Sequence, residues 1–322
     1  MTRLFVADPG IRQGQLEALR AQLPKGWHLS DSPEGAALIL TEDATLDSSM
    51  IAKAGAALKL VVRLDTGKAS LPELDVPLLE PPNTALVGVA EHAVALMLAL
   101  RRRLAWVHAK TRAQAWAPDK VTPILTDQTK YTYNWIGLDD FGTLYRQTVG
   151  LVGLGYIGRA VAARLRPFGV KLLYTQRNRL SRDEEERLGV DYRDLDELLS
   201  EADIVSLHHR FQDGPGGNDK QFGAAAFARM KPHALFINTA RGRLVDEEAL
   251  VAALREGRIG GAGLDVFTYE PLPPGHPLLT LDDERLLLTP HVGGAPIQEA
   301  WENIARDIVE ALQARLQDGE DA

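Results

Sequence analysis

Thr148-Val149-Gly150-Leu151-Val152-Gly153-Leu154-Gly155-Tyr156-Ile157-Gly158 opens a stretch, ending at Arg179, around which the rest of the chain is organised. The first five residues are a short apolar run, and after the glycines apolar residues recur at helical spacing through Val161, Ala162 and Leu165. The pattern predicts strand, glycine turn and helix. A second apolar run from Val170 to Tyr174 follows Gly169 and ends in Thr175-Gln176-Arg177-Asn178-Arg179, which completes a strand-helix-strand unit. In such a unit Gly153 permits the tight turn, Gly155 lets a pyrophosphate approach the backbone, and Gly158 lets the helix sit close to the strand. A phosphate would meet backbone N–H groups and the positive end of the helix dipole, with Tyr156 and Ile157 among the expected cofactor contacts. The alternative is a glycine-rich turn that serves packing alone; its position between strand and helix favours a dinucleotide.

At 322 residues the chain exceeds the usual size of one domain, so two are expected. The net charge of −8 argues against a nucleic-acid partner, because phosphate backbones recruit basic faces. The absence of cysteine excludes a disulfide framework, a thiolate nucleophile and a metal site with sulfur ligands, and no metal is expected. Met1 to Val6 lacks the pattern of a secretory signal, and the most apolar segment, Ala93 to Leu100, is too short to span a bilayer. A cytoplasmic protein with no membrane partner is expected.

Along the chain, strands are expected at Leu4–Ala7, Ala37–Leu40, Leu58–Val62 and Val76–Leu79, with helices at Gln15–Leu23 and Met50–Ala57. This alternation reads as a small parallel α/β domain. From Val87 to about Trp116, Val89, Ala93, Leu96, Met97, Leu100 and Leu104 fall at helical spacing, and the single long helix so predicted is expected to join the domains and pack across a homodimer interface, the alternative being a helix buried within one subunit. Residues 118–142 break the pattern and carry Tyr131, Tyr133, Trp135 and Phe141, which favour a docked arm, with a mobile loop as the alternative. After the opening unit, helices are expected at Asp194–Ser200, Ala224–Met230 and Glu247–Glu256. Strands are expected at Asp203–Leu207, Ala234–Ile237, Gly261–Leu264 and Leu286–Thr289, building a second, larger doubly wound sheet. A last helix from about Pro296 places Ile297, Trp301, Ile304, Ile308 and Leu312 on one face. The domains are then 1–87 plus 296–322, and 88–295.

Several reactive side chains fall just beyond the carboxyl ends of strands in the second domain. They are Arg241 in Asn238-Thr239-Ala240-Arg241-Gly242, Asp265 and Glu270 in Gly263 to Pro271, His291 in Thr289-Pro290-His291-Val292-Gly293-Gly294, and the pair His208-His209. In an open parallel sheet that edge binds ligands. A cation, a carboxylate and an imidazole beside a dinucleotide suggest hydride transfer coupled to proton transfer. A carboxylate beside an imidazole favours its protonated form, a usable acid toward a carbonyl oxygen. Arg241 can hold a carboxylate through paired N–H donors. Taken singly, each of these residues has a bland reading as a surface ion pair, a cap or a backbone partner.

In order and spacing, the glycine turn, the Asn-Thr-Ala-Arg-Gly run, Ala262-Gly263-Leu264-Asp265-Val266-Phe267 through Glu270-Pro271, and Thr289-Pro290-His291-Val292-Gly293 resemble the D-isomer-specific 2-hydroxyacid dehydrogenase family. Val89-Ala90-Glu91-His92 resembles that family's helix start. The resemblance implies two doubly wound α/β domains, a flavodoxin-like substrate domain that is discontinuous in sequence and a Rossmann cofactor domain. It implies that Arg241 binds the substrate carboxylate and polarises the carbonyl, that His291 is the acid/base, and that Glu270 orients and charges it. Asp265 would contact the nicotinamide carboxamide, with His208, Thr239, Ala240 and Gly293 also lining the cofactor.

Two departures from the family's pattern bear on specificity. The second strand of the opening unit ends in Thr175 where an acidic residue would bind the ribose 2′-hydroxyl of NAD. Thr175 and Gln176 followed by Arg177 and Arg179 suit a 2′-phosphate, and the family's glyoxylate and hydroxypyruvate reductases show a similar run. NADP(H) is therefore the expected cofactor and NAD(H) the alternative. The family's substrate loop is typically Arg-Ala-Gly-Val-Gly followed by Asp-Asn, whereas this chain has Arg63-Leu64-Asp65-Thr66-Gly67-Lys68. Thr66, Gly67 and Lys68 are the expected substrate contacts, with Lys68 either binding substrate or neutralising Asp65. The leading reading is a reductase of 2-oxo acids, reversible as a D-2-hydroxyacid dehydrogenase. The alternatives are a phosphonate- or formate-dehydrogenase-like enzyme oxidising another small anion, and a dinucleotide-sensing scaffold without activity.

Overall fold

Among the described residues every strand pairing is parallel, and the strands fall into two sheets. The computed structural model describes residues 2–7, 13–41, 46–64, 71–81, 84–115, 121–281, 283–294 and 297–318. Two compact units divide the chain, Met1–Gly88 with Gly294–Ala322, and Val89–Gly293.

The first unit begins with β1 (Thr2–Val6), α1 (Gln13–Gln22), β2 (Trp27–Ser30), β3 (Leu38–Thr41), α2 (Ser48–Ala54), β4 (Leu60–Arg63) and β5 (Leu78–Leu79). Their order across the sheet is β2-β1-β3-β4-β5, the flavodoxin-like arrangement. Leu4 stands opposite Leu38, and Leu38 opposite Leu60, so one row of leucines crosses three strands. β2 escapes the pattern reading because its apolar–polar alternation, Trp27 and Leu29 against His28 and Ser30, lasts only four residues and all of them are half-buried. α2 starts where the Asp47 carboxylate accepts the Met50 N–H, the local reason it begins two residues before the expected Met50.

The long helix expected from Val87 to about Trp116 is broken in two. α3 (Thr84–Arg102) buries Ala90, Ala93, Leu96, Met97 and Leu100 against the second unit's sheet, so this face is a core face. At Arg103 the backbone turns left-handed, φ 51°, and α4 (Leu104–Arg112) buries none of its residues. The apolar stripe ends at Leu100, and the Arg103 guanidinium instead donates to Glu284 at 2.6 Å and lies over the Trp106 ring. Leu104, expected on the buried face, is exposed. Residues 121–142 form no helix or strand. Tyr131 and Tyr133, expected to dock, are 68% and 73% exposed, while the Arg102 guanidinium lies over the Phe141 ring. Trp116 and Pro118 lie outside the described residues.

The second unit continues with β6 (Thr148–Val152), α5 (Tyr156–Leu165), β7 (Lys171–Thr175), α6 (Arg182–Leu188), β8 (Asp191–Tyr192), α7 (Leu195–Glu201), β9 (Ile204–Leu207), α8 (Ala224–Arg229), β10 (Leu235–Asn238), α9 (Glu247–Arg255), β11 (Gly261–Leu264) and β12 (Leu286–Leu288). The order is β12-β11-β10-β9-β6-β7-β8, and the winding reverses between β6 and β9. Such a reversal opens a crevice at the carboxyl ends of the two strands. Three helices of this unit start on side-chain caps: Ser181 for α6, Asp194 with Glu197 in a capping box for α7, and Asp246 for α9. Finally α10 (Ile297–Asp318) packs Trp301, Ile304, Ile308 and Leu312 into the core of the first unit beside Leu4 and Leu38, each worth roughly 1.5–3 kcal/mol of burial. Ile297's side chain and the acidic end from Gly319 lie outside what is described. Among the described residues no helix is long and apolar enough to cross a membrane, and no cluster of three or more His, Asp or Glu could hold a metal.

Candidate active site

The glycine turn follows β6 directly. Gly153 has φ +93°, and a Cβ there would lie 2.8 Å from His209, so backbone conformation and close approach both demand glycine. A Cβ on Gly158 would stand 2.2 Å from the Gly153 carbonyl oxygen, which is how tightly α5 sits on the turn. Gly155 is different: a Cβ would meet nothing within 4 Å. The space in front of Gly155 is therefore open, and α5 begins there without a side-chain cap. An open cradle at an uncapped helix start suits a pyrophosphate.

At the end of β7, Thr175 is almost fully buried and its carbonyl accepts the Gly153 N–H at 2.9 Å. Gln176 ties the two loops together: its Oε1 accepts from Leu154 N–H and its Nε2 donates to the Asn178 carbonyl. Arg177 is exposed and donates to Gln212 at 2.8 Å. Arg179, expected beside it at a 2′-phosphate, is otherwise engaged. It pairs with both oxygens of Glu185 at 2.8 and 3.0 Å and lies over Tyr192. Glu185 also accepts from the buried Tyr174 hydroxyl, whose pKa rises to about 12, first through burial and then through that carboxylate. The second cation of the expected pair thus braces β7 and β8.

Across the crevice, both ring nitrogens of His208 are buried without a hydrogen-bond partner, and burial pushes its pKa down to about 3. The Thr239 hydroxyl at the end of β10 is likewise buried and unpartnered. Unsatisfied polar atoms cost about 1–3 kcal/mol each, so several at one edge mark a surface built to receive polar groups. With the open cradle at Gly155, they fit a dinucleotide lying along the carboxyl edge. The Ala240 N–H, by contrast, is spent on Asn238 Oδ1 and the Gly293 N–H on Asp265, so neither is free for a ligand.

Arg241 follows β10, and its loop is pressed onto the loop after β11. A Cβ on Gly242 would lie 1.9 Å from the Phe267 carbonyl carbon. This contact brings Arg241 next to the segment carrying Glu270. The Arg241 side chain is exposed and donates through Nη1 to the Ala240 carbonyl at 2.6 Å. Glu270 Oε1 accepts the Phe267 N–H at 2.9 Å, and Oε2 faces His291 Nδ1 at 2.6 Å. Burial pushes the Glu270 carboxyl up, but the His291 and Phe267 hydrogen bonds and the His291 and Arg241 charges outweigh it and hold the pKa below its ordinary value. Because Glu270 is then a carboxylate, the network assigns the Nδ1 proton to His291, and Nε2 carries no hydrogen bond among the described residues. His291 itself stands in the left-handed region, φ 54°, a conformation that costs a non-glycine residue about 1–2 kcal/mol.

Asp265 lies beneath the turn that bears His291. It is 2% exposed, and its oxygens accept from the Thr289 hydroxyl at 2.6 Å, Val292 N–H at 2.9 Å and Gly293 N–H at 2.8 Å. Three of the carboxylate's acceptor sites hold the turn that bears His291. His92, which the resemblance puts at a helix start but which stands in the middle of α3, reaches the Thr289 hydroxyl at 2.9 Å. The sequence reading missed Thr289 as a site residue and took His92 only as part of a helix start, although Thr289-Pro290-His291 places a hydroxyl two positions before the imidazole. Beside Glu270 and His291 lies a pocket of about 350 Å³ whose other walls include Phe267, Leu272, Leu279 and Leu288. Thr66, Gly67 and Lys68, the expected substrate contacts, lie with Asp65 outside the described residues.

Comparison with known proteins sets this geometry among relatives. The profile of the D-isomer specific 2-hydroxyacid dehydrogenase NAD binding domain matches residues 94–293. Glyoxylate/hydroxypyruvate reductase B of Shigella boydii is 37% identical over 245 residues, covering 74% of this chain and 69% of its own. D-3-phosphoglycerate dehydrogenase of Mycobacterium leprae is 34% identical over 97% of this chain, which spans 56% of that longer protein. Among solved structures, the NADPH-dependent glyoxylate/hydroxypyruvate reductase of Sinorhizobium meliloti, in complex with citrate, superposes with a TM-score of 0.58 at 26% identity, covering 97% of this chain and 94% of that one.

Proposed function

The chain belongs to the D-isomer specific 2-hydroxyacid dehydrogenase family, and from that premise we propose that it is an NADP-dependent reductase converting a 2-oxo acid to the D-2-hydroxy acid. The observation that carries this reading is the 2.6 Å contact between His291 Nδ1 and Glu270, beside Arg241 and on the same sheet edge as the open glycine cradle. The chemistry that NADP(H) supplies when bound is transfer of a hydride to the substrate's carbonyl carbon. Arg241 binds the substrate carboxylate and draws electron density from the carbonyl. His291 gives the Nε2 proton to the carbonyl oxygen as the hydride arrives, and Glu270 offsets the positive charge of the imidazolium beforehand.

Arg177, exposed beside the Thr175 end of β7, supports NADP(H) over NAD(H) through the charge of a 2′-phosphate. The apolar walls of the pocket beside His291 support a substrate with an apolar side chain rather than glyoxylate. A second copy of the chain is the partner we assign to α4, none of whose residues is buried, and to the segment carrying Leu125, 95% exposed, Tyr131 and Tyr133. The lack of cysteine fits a reducing compartment such as the cytoplasm.

The test is NADPH oxidation over glyoxylate, hydroxypyruvate, pyruvate, and branched and aromatic 2-oxo acids, with wild type and His291→Ala. Turnover is expected with at least one member, rising toward apolar side chains and falling by about 10²–10⁴-fold in the variant. Absence of oxidation with every member, or an unimpaired variant, overturns the proposal.

A further inference from the structure

Asp265 fixes the backbone on the far side of His291 by accepting the amides of Val292 and Gly293, and what fixes Asp265 lies outside the residues that touch substrate or cofactor. Its Oδ1 takes the Thr289 hydroxyl proton at 2.6 Å. A hydroxyl has one proton to give, so the 2.9 Å contact between Thr289 Oγ1 and His92 Nε2 must run the other way, with His92 donating. The same Nε2 stands 3.4 Å from Asp265 Oδ1. A hydrogen-bond chain therefore leads from His92 in α3 through Thr289 to Asp265 and on to the two amides that follow His291. Packing points the same way: a Cβ on Gly293 would meet Asp265 at 2.8 Å and the His92 ring at 3.4 Å, so the imidazole lies directly under the turn.

We propose that His92 is a positioning residue for the reaction, holding His291 in its left-handed conformation through Thr289 and Asp265. The inference deepens the reductase reading and rests on it for its kinetic consequence. A chain of bonds that each orient the next is worth more than its links singly, so loss of the first donor loosens the turn without emptying the site. A glutamine at 92 places an amide donor close to where Nε2 stands; a leucine fills the space and donates nothing.

The experiment compares His92→Leu, His92→Gln, Thr289→Val and the Leu/Val double variant. In His92→Leu, kcat should fall by about tenfold with the NADPH Kd within about twofold of wild type, and His92→Gln should restore kcat to within about threefold. The double variant should be no slower than Thr289→Val alone, because both cut one chain. Amide exchange at Val292 and Gly293, which needs no turnover, should quicken about tenfold in His92→Leu and recover in His92→Gln. Equal kcat in the Leu and Gln variants, additive losses in the double variant, or unchanged exchange would each overturn the proposal. If wild type turns over no 2-oxo acid, the reductase reading falls and the exchange data alone decide whether the chain of bonds holds the turn; if Leu at 92 prevents folding, Thr289→Val with its exchange decides it.

Discussion

Gly155 and Gly158 are three residues apart in one turn, and replacing each by alanine should separate the fold from the site. At Gly158 the added methyl would sit 2.2 Å from the Gly153 carbonyl oxygen and 3.1 Å from its carbon. Backbone on both sides leaves no flexible side chain to give way, so α5 must lift off β6. Overpacking of this kind costs about 1–3 kcal/mol. For a unit of this size that corresponds to a melting shift of roughly 2–12 °C. At Gly155 the methyl meets nothing within 4 Å, and φ −74° is a value alanine adopts freely. Gly155→Ala should therefore melt no lower than wild type and within about 4 °C of it, since a strain-free glycine-to-alanine change stabilises by about 0.4–1 kcal/mol. The same methyl occupies the space the pyrophosphate needs, and NADPH affinity should drop by at least about 100-fold, or about 2.7 kcal/mol. Thermal melts followed by NADPH fluorescence titration read both quantities. A Gly155→Ala protein that binds NADPH like wild type, or one destabilised as much as Gly158→Ala, would refute the assignment of that open space to a phosphate.

Further predictions follow from the other side chains. Arg177→Ala should raise the Michaelis constant for NADPH by about tenfold or more while leaving that for NADH within about twofold, and Arg179→Ala, already bound to Glu185, should do less; equal effects on both cofactors count against a 2′-phosphate contact. Because the Glu270 pKa is depressed in the fold, its stabilising contribution is complete above its ordinary value of 4.5 and is lost as pH falls through the lower folded value. The melting difference between wild type and Glu270→Gln should accordingly be largest near neutrality and vanish in strong acid, and a difference that grows with acidity would reverse the sign assigned here. In sedimentation or light scattering the protein should run as a dimer, and Leu125→Asp with Tyr133→Asp should shift it toward the monomer; a wild-type monomer contradicts the partner assigned to α4.

The fold could be read from the chain wherever burial was two-sided or periodic. β6, β9, β10 and β11 are near-continuous buried runs, broken by few polar residues such as Ser206, because helices cover both faces, and α10 shows its core face at helical spacing. β2 and β8 stand at sheet edges and bury too little for a pattern. The break at Arg103 was hidden because an arginine adopts a left-handed conformation only for tertiary reasons, here Glu284, far along the sequence. In the site, Arg241, Glu270 and His291 were visible because strand ends in an open sheet converge. What the chain does not display is valence: whether a carboxylate such as Asp265 or a guanidinium such as Arg179 is free or already engaged depends on partners 28 and 6 residues away.

The central claim is that a hydride passes from NADPH to C2 of a 2-oxo acid while His291 protonates the oxygen. Reduction with NADPH deuterated on the transferred position, with the product resolved by chiral chromatography and mass spectrometry, tests it directly. One deuterium at C2 of the D-2-hydroxy acid, formed by wild type and not by His291→Ala, is the predicted result. An L-product, or a product without deuterium at C2, would contradict it.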